Sequence, residues 1–404
     1  MRNGDLRVRV RLRQGYGGQV ARRALSLSLA VFVLALGRVA SAQLPDASQT
    51  DRMIADLGLH EAATPLNASP QWRKPARVLV RNLTPERKTW LQDVAPGVEL
   101  VNADTIAEAR AGAAGADAVL GFCEEAVLGP NAGVRWVQTY NAGVERCLAS
   151  DIFRQRGILL TNMQRIAGPV MAEHVMALVL AFSRGLPGYV MAQHDGKWAR
   201  GSTSANWTPF NALSDGDQPA FTLVGKTILV VGYGGIGSEV ARRAQAFGMR
   251  IIAIRNSKAD LPPGVTKMGL PADLPAYVKE ADIVVNTLPL TAETRGMFDA
   301  AIFGAMKKTA FFVNVGRGGT VVTEALMKAL QDGTIGGAGL DVVDPEPVPE
   351  GHPLWKTPRL ILTPHVSADS DMDEDVRWLL IRENLRRFVA GGKMLSVVDA
   401  NRGY

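Results

Sequence analysis

Cysteine is nearly absent. Two residues in 404, Cys123 and Cys147, exclude a disulfide-built scaffold and leave no paired spacing for a zinc ribbon. A chain of this length builds an ample core without a staple, so each cysteine is read as a small packing residue, one bridge being the alternative in an oxidising compartment. Histidine is also scarce, at five, and no metal site is expected. Basic excess is missing from the body of the chain. Residues 1–42 hold eight of the 45 basic and one of the 39 acidic residues, leaving 37 against 38, so the net charge of +6 belongs to that segment and no nucleic-acid surface is expected. Long apolar runs are missing too: the run 24–36 is too short for a stable membrane span.

Residues 1–42 have the layout of an export leader. Arginines precede the apolar run, Arg22 and Arg23 adjoin it as in twin-arginine signals, and Ala40-Ser41-Ala42 offers small residues for cleavage before Gln43. Export to the periplasm is expected, with a misassigned start and cytoplasmic residence as the alternative. Residues 43–75 are polar and proline-dotted, with one short helix near 51–57, and read as an extension that wraps the surface or stays mobile.

From residue 77 strands alternate with helices: 78–80, 98–101, 117–120, 135–139 and 158–161, then 228–231, 250–254, 283–287, 311–315, 339–342 and 360–362. Such alternation predicts α/β architecture with parallel sheets covered by helices. Pro169 opens a long apolar helix to Phe182, on which Glu173 and His174 point apart and are read as structural. Gly185 to Gly188 read as a hinge, residues 200–221 as a polar loop, and 371–389 as a final amphipathic helix.

The most informative stretch is residues 226–255. Gly232, Gly234 and Gly237 have G-x-G-x-x-G spacing between an apolar strand and a helix, the context of a dinucleotide site. The first glycine permits the bend, the second lets a pyrophosphate approach bare backbone, and the third lets helix and strand pack closely. Tyr233, Gly235 and Ile236 complete the turn. The following strand ends in Arg255, where an acid would bind the ribose 2′-hydroxyl of NAD. Arg255, with Asn256, Ser257 and Lys258, supplies cations and donors for a 2′-phosphate, so NADPH is expected over NADH, solvated surface cations being the alternative.

Three later segments carry chemistry at strand ends: Arg317 in FFVNVGRGG, Glu346 in GLDVVDPEP and His365 in ILTPHVS. A guanidinium grips a carboxylate with two parallel hydrogen bonds, and a histidine braced by a glutamate moves protons. Downstream of a nicotinamide motif, the three form a proton-and-anchor set.

On these motifs, together with WVQTYNAGVE (136–145), GPVMAEHVMALVLAFSRGLP (168–187), VGYGGIG (231–237) and NTLPLTAETRGMF (286–298), the chain resembles the D-isomer-specific 2-hydroxyacid dehydrogenases over nearly all of residues 77–395. The resemblance implies two doubly wound parallel-sheet domains with a cleft between them. One is a flavodoxin-like substrate domain (76–187 and 366–404), the other a Rossmann-type NAD(P)-binding domain (188–365). It implies a homodimer in which the helix 171–182 contributes to the contact, which would explain its apolarity. By the same resemblance Arg317 and the amides of Ala142, Gly143 and Val144, beside Asn141, would hold a 2-keto or 2-hydroxy acid carboxylate. His365 would serve as acid and base, with Glu346 hydrogen-bonded to it. Thr287, Leu288, Pro289 and Val315 would line the cofactor, and Asp341 would face the nicotinamide amide. Glyoxylate or hydroxypyruvate reduction is the expected reaction. Formate oxidation would be expected to carry glutamine in place of Glu346, and a non-enzymatic dinucleotide sensor is the rival class.

Overall fold

All twelve strands of the computed structural model, which describes residues 44–198, 220–371 and 373–403, run parallel and divide between two sheets. The expected leader, and all but two residues of the polar loop 200–221, lie outside the described residues.

The first sheet comprises β1 (Arg77–Arg81), β2 (Glu99–Ala103), β3 (Ala118–Leu120), β4 (Trp136–Gln138) and β5 (Leu159–Thr161), in the spatial order β2-β1-β3-β4-β5. Successive residues of a strand face opposite sides of its sheet. Val78, Val80, Leu120 and Trp136 accordingly pack against the C-terminal helix Asp373–Ala390 through Leu379, Leu385 and Phe388, while Leu79, Val119, Val137 and Leu160 form the core of the other face. The extension is anchored: its helix Thr50–Leu57 and Leu59 send Met53 and Leu59 into the core beneath the C-terminal helix, and Glu61 pairs with Leu395 in an isolated bridge.

The second sheet holds β6 (Thr227–Val231), β7 (Arg250–Ile254), β8 (Val265–Gly269), β9 (Ile283–Asn286), β10 (Phe311–Asn314), β11 (Gly337–Leu340) and β12 (Leu360–Leu362), ordered β12-β11-β10-β9-β6-β7-β8. The chain winds outward in both directions from β6 and β9, so the carboxyl ends of these two strands border the switch point where α/β sheets bind ligands. β8 is the strand the sequence hides. It is an edge strand, buried only at Val265 and Gly269, and therefore carries no apolar run.

The helix Gly168–Ser183, expected with the first sheet, packs on the second. Its Ala172, Val175, Val179 and Phe182 lie in the core of the second sheet with Ile228, Val230, Phe311 and Val313, and Phe182 stacks on Phe311 with ring centroids 4.1 Å apart. This intrachain burial stabilises by ~1.5–3 kcal/mol for each large aliphatic side chain. Exposed apolar side chains fall on the next helix, Leu186–His194, at Leu186, Tyr189, Val190 and Met191. The two helices meet at 72° across Gly185, whose φ of 63° is open to glycine at little cost.

Candidate active site

The turn after β6 has the geometry its glycines predict. Gly232 takes φ 101°, and its carbonyl accepts the Thr287 hydroxyl at 2.7 Å. A Cβ on Gly237 would collide with the Gly232 carbonyl, whereas one on Gly234 would meet nothing within 4 Å. Strand, turn and helix Gly235–Ala246 are thus locked together around one open face, with the first amides of the helix free to receive an anion. Tyr233 and Ile236 pack partly buried against the core under the turn. Arg255 follows β7 with its Nε buried and, among the described residues, without a hydrogen-bond acceptor, while Asn256, Ser257 and Lys258 are exposed beyond it. An open glycine, free helix amides and an orphaned guanidinium nitrogen fit a phosphate-bearing dinucleotide. Thr287, Leu288 and Pro289, after β9, border the same turn half-buried, and Val315 is fully buried behind it.

Arg317 is set by a buried amide network that the motifs do not reveal. Asn314, at the end of β10, accepts from Asn286 Nδ2 at 2.9 Å and from the Gly316 amide at 3.1 Å, and Thr320 donates to the Arg317 carbonyl at 2.6 Å. The side chain then reaches the loop after β4. Nε donates to Glu145 at 2.9 Å, Nη1 to the Gly316 carbonyl at 2.8 Å, and Nη2 lies so close to Gly143 that a Cβ there would collide with it. Asn141 and Ala142 are exposed on this loop, and Val144 anchors it in the core. Guanidinium and loop therefore converge. Glu145 is an addition: its sequence position beside the loop was visible, but its partner 172 residues away was not.

The other half of the site sits at the ends of β11 and β12. His365 Nδ1 lies 2.5 Å from Glu346 Oε1, and with a carboxylate as partner that nitrogen carries the proton. His365 holds φ 57°, a left-handed conformation uncommon for a residue with a side chain, and its amide donates to the Asp341 carbonyl at 2.9 Å. Asp341 is turned inward. Its carboxylate takes the Thr363 hydroxyl at 2.6 Å and the Val366 and Ser367 amides at 3.0 Å each, so both oxygens fasten the His365 loop. Burial would raise this carboxyl, but the hydrogen bonds outweigh it and hold it below the ordinary carboxylate range. His174 supports the same loop, 3.0 Å from Thr363 Oγ1 and 3.8 Å from Asp341, and Glu173 pairs with Arg243 at 3.0 Å.

The cysteines correct the packing-residue expectation. Cys123 and Cys147 form a disulfide with Cα atoms 5.2 Å apart, tying the loop after β3 to the loop that carries Gly143 and Glu145. Closing a loop of sequence separation 24 stabilises by about 3 kcal/mol. Denaturant unfolding of the double variant Cys123→Ser/Cys147→Ser is expected to lose that amount, and an unchanged midpoint would contradict the bridge's contribution.

Comparison with known proteins bears on the whole arrangement. Residues 176–367 match the family model described as D-isomer specific 2-hydroxyacid dehydrogenase, NAD binding domain. The chain is 34% identical to the glycerate dehydrogenase of Methylorubrum extorquens over 249 residues, 61% of this chain and 73% of that one. It is 35% identical to the glyoxylate reductase of Pyrococcus furiosus over 261 residues, 64% and 74% of the respective chains. Among solved structures, the NADPH-dependent glyoxylate/hydroxypyruvate reductase of Sinorhizobium meliloti, in complex with NADP and sulfate, superposes with a TM-score of 0.66 at 27% identity, covering 81% of this chain and all of that one. With two parallel-sheet domains, a dinucleotide turn and an arginine, glutamate and histidine gathered at strand ends, the chain belongs to the D-isomer specific 2-hydroxyacid dehydrogenases and is an oxidoreductase.

Proposed function

We propose that this dehydrogenase works as an NADPH-driven reductase of small 2-keto acids such as glyoxylate or hydroxypyruvate, forming the D-2-hydroxy acid. The observation that carries the reaction class is the pairing of His365 with Glu346 on one side and Arg317 with the Gly143 loop on the other. NADPH is favoured because Arg255, and not an acid, ends β7 with an unpaired buried nitrogen. The glyoxylate reductase relative supports the substrate class, and the NADP-bound reductase structure supports the cofactor as well.

When bound, the reduced nicotinamide supplies a hydride for C2 of the keto acid. The protein supplies the rest. Arg317, its Nε fixed by Glu145, offers its remaining N–H groups to the substrate carboxylate together with the Ala142 to Val144 amides. His365, its Nδ1 proton engaged by Glu346, presents Nε2 outward as the donor to the keto oxygen. An imidazolium there meets the negative charge developing on that oxygen and neutralises it by proton transfer. In oxidation the same nitrogen accepts the proton.

The experiment is the rate of NADPH oxidation with a panel of 2-keto acids. Turnover of glyoxylate or hydroxypyruvate supports the proposal, while NADPH binding without any turnover would favour the dinucleotide-sensor reading. Exchange of Arg255 for aspartate is expected to reverse the preference toward NADH by about 10-fold or more, because repulsion replaces a charge-assisted hydrogen bond to the 2′-phosphate. An unaltered ratio of kcat/KM for the two nucleotides would remove Arg255 from the 2′-phosphate.

A further inference from the structure

We propose that Arg165 is a second phosphate ligand for the cofactor, brought to the glycine turn from the end of the first sheet and held there by His60 of the N-terminal extension. The inference rests on the dinucleotide reading above and assigns it two residues that the motif does not contain.

Arg165 lies in the loop between β5 and the helix Gly168–Ser183, with φ 74°. A residue with a side chain holds that conformation only where its surroundings impose it. The imposing contacts are visible. Its guanidinium donates to the Leu57 carbonyl at 3.4 Å and to His60 Nε2 at 3.0 Å, so the end of the extension's helix fixes the charged head. The stem lies on the turn: a Cβ on Gly235 would fall 2.5 Å from Arg165 Cγ and 2.9 Å from its Cα. Gly235 is the first residue of the helix whose free amides face the phosphates. The stem of Arg165 therefore lies against the residue that opens this helix, one step along the turn from the open Gly234.

The electrostatics call for an anion. Arg165 is lowered from its ordinary value by burial and then by the nearby charge of Arg255; His60 is lowered by burial, then by Arg165 and Arg255. Neither arginine has a carboxylate partner among the described residues, and Arg255 Nε is buried without an acceptor. Two partly buried guanidiniums near one helix N-terminus repel each other until a negative group comes between them. The division of labour follows from position. Arg255, at the end of β7, serves the 2′-phosphate that only NADPH carries, whereas Arg165, on Gly235, serves the pyrophosphate common to NADPH and NADH. His60 is a positioning residue. As a neutral ring it accepts a hydrogen bond from the guanidinium and so keeps the long side chain over the turn.

The test is equilibrium binding of NADPH and of NADH to the full chain by calorimetry, without substrate. Arg165→Ala is expected to weaken both nucleotides by the same factor, about 10- to 100-fold, the effect of one charge-assisted hydrogen bond. Unchanged affinity for both, or a loss confined to NADPH, would overturn the assignment. His60→Leu, which leaves the turn untouched, is expected to give a smaller loss equal for the two nucleotides, and His60→Gln, which retains an acceptor, to restore most of it. A His60→Leu protein that binds as the wild type does would overturn the positioning role. Failure of the wild-type chain to bind either nucleotide would overturn both this inference and the dinucleotide reading, whereas wild-type binding that Arg165→Ala leaves intact overturns this inference alone.

Discussion

Replacing His365 by alanine is expected to lower kcat by about 10³-fold, within the range for loss of a positioned general acid, and to leave the affinity for the nucleotide as it was. The separation of the two effects follows from the architecture. His365 stands at the end of β12, with Nδ1 committed to Glu346 and its amide to the Asp341 carbonyl, while the glycine turn is built from β6, β9 and the helix after β6. Among the described residues, no hydrogen bond of the turn passes through the imidazole. The side chain is about half exposed, so its removal leaves no cavity in the core and costs little stability. A variant that lost nucleotide binding together with turnover would place His365 in the cofactor seat and contradict its assignment as proton donor.

Arg317→Ala is expected to lower kcat/KM for the keto acid by about 10²- to 10³-fold, through loss of the charge-assisted grip on the substrate carboxylate plus the cost of the group left behind. That group is Glu145. Arg317 now neutralises it at 2.9 Å, and without the guanidinium a bare carboxylate stands beside the place where the substrate carboxylate must sit. Removing Glu145 as well should therefore recover part of the loss, a non-additive pair of the kind expected for residues in contact. Arg317→Lys should not substitute, because an ammonium cannot hold Glu145, the Gly316 carbonyl and a substrate carboxylate with one fixed fork. An unchanged KM for the keto acid in Arg317→Ala would show that the carboxylate is bound elsewhere.

What the sequence discloses and what it conceals divide along physical lines. Strands buried on both faces, such as Thr227–Val231 and Phe311–Asn314, read as largely apolar runs and are visible without a structure. The edge strand Val265–Gly269, half exposed, is not. Local chemistry is legible as well: the glycine turn, Arg317, Glu346 and His365 each sit in a short motif whose spacing carries their environment. Pairings between distant segments are not. Arg165 meets His60 across 105 residues and Glu145 meets Arg317 across 172, and no periodicity encodes either pairing. The same limit explains the cysteines, whose pairing depends on how two loops of the first sheet come together. It also explains the helix Gly168–Ser183. Its apolar composition announces burial but not against what, and its Ala172, Val175, Val179 and Phe182 pack on the second sheet.

The most direct test is to incubate the protein with hydroxypyruvate and NADPH and to determine the amount and configuration of the glycerate formed. One D-glycerate is expected for each NADPH oxidised. Formation of L-glycerate, or binding of both compounds with no glycerate at all, would contradict it.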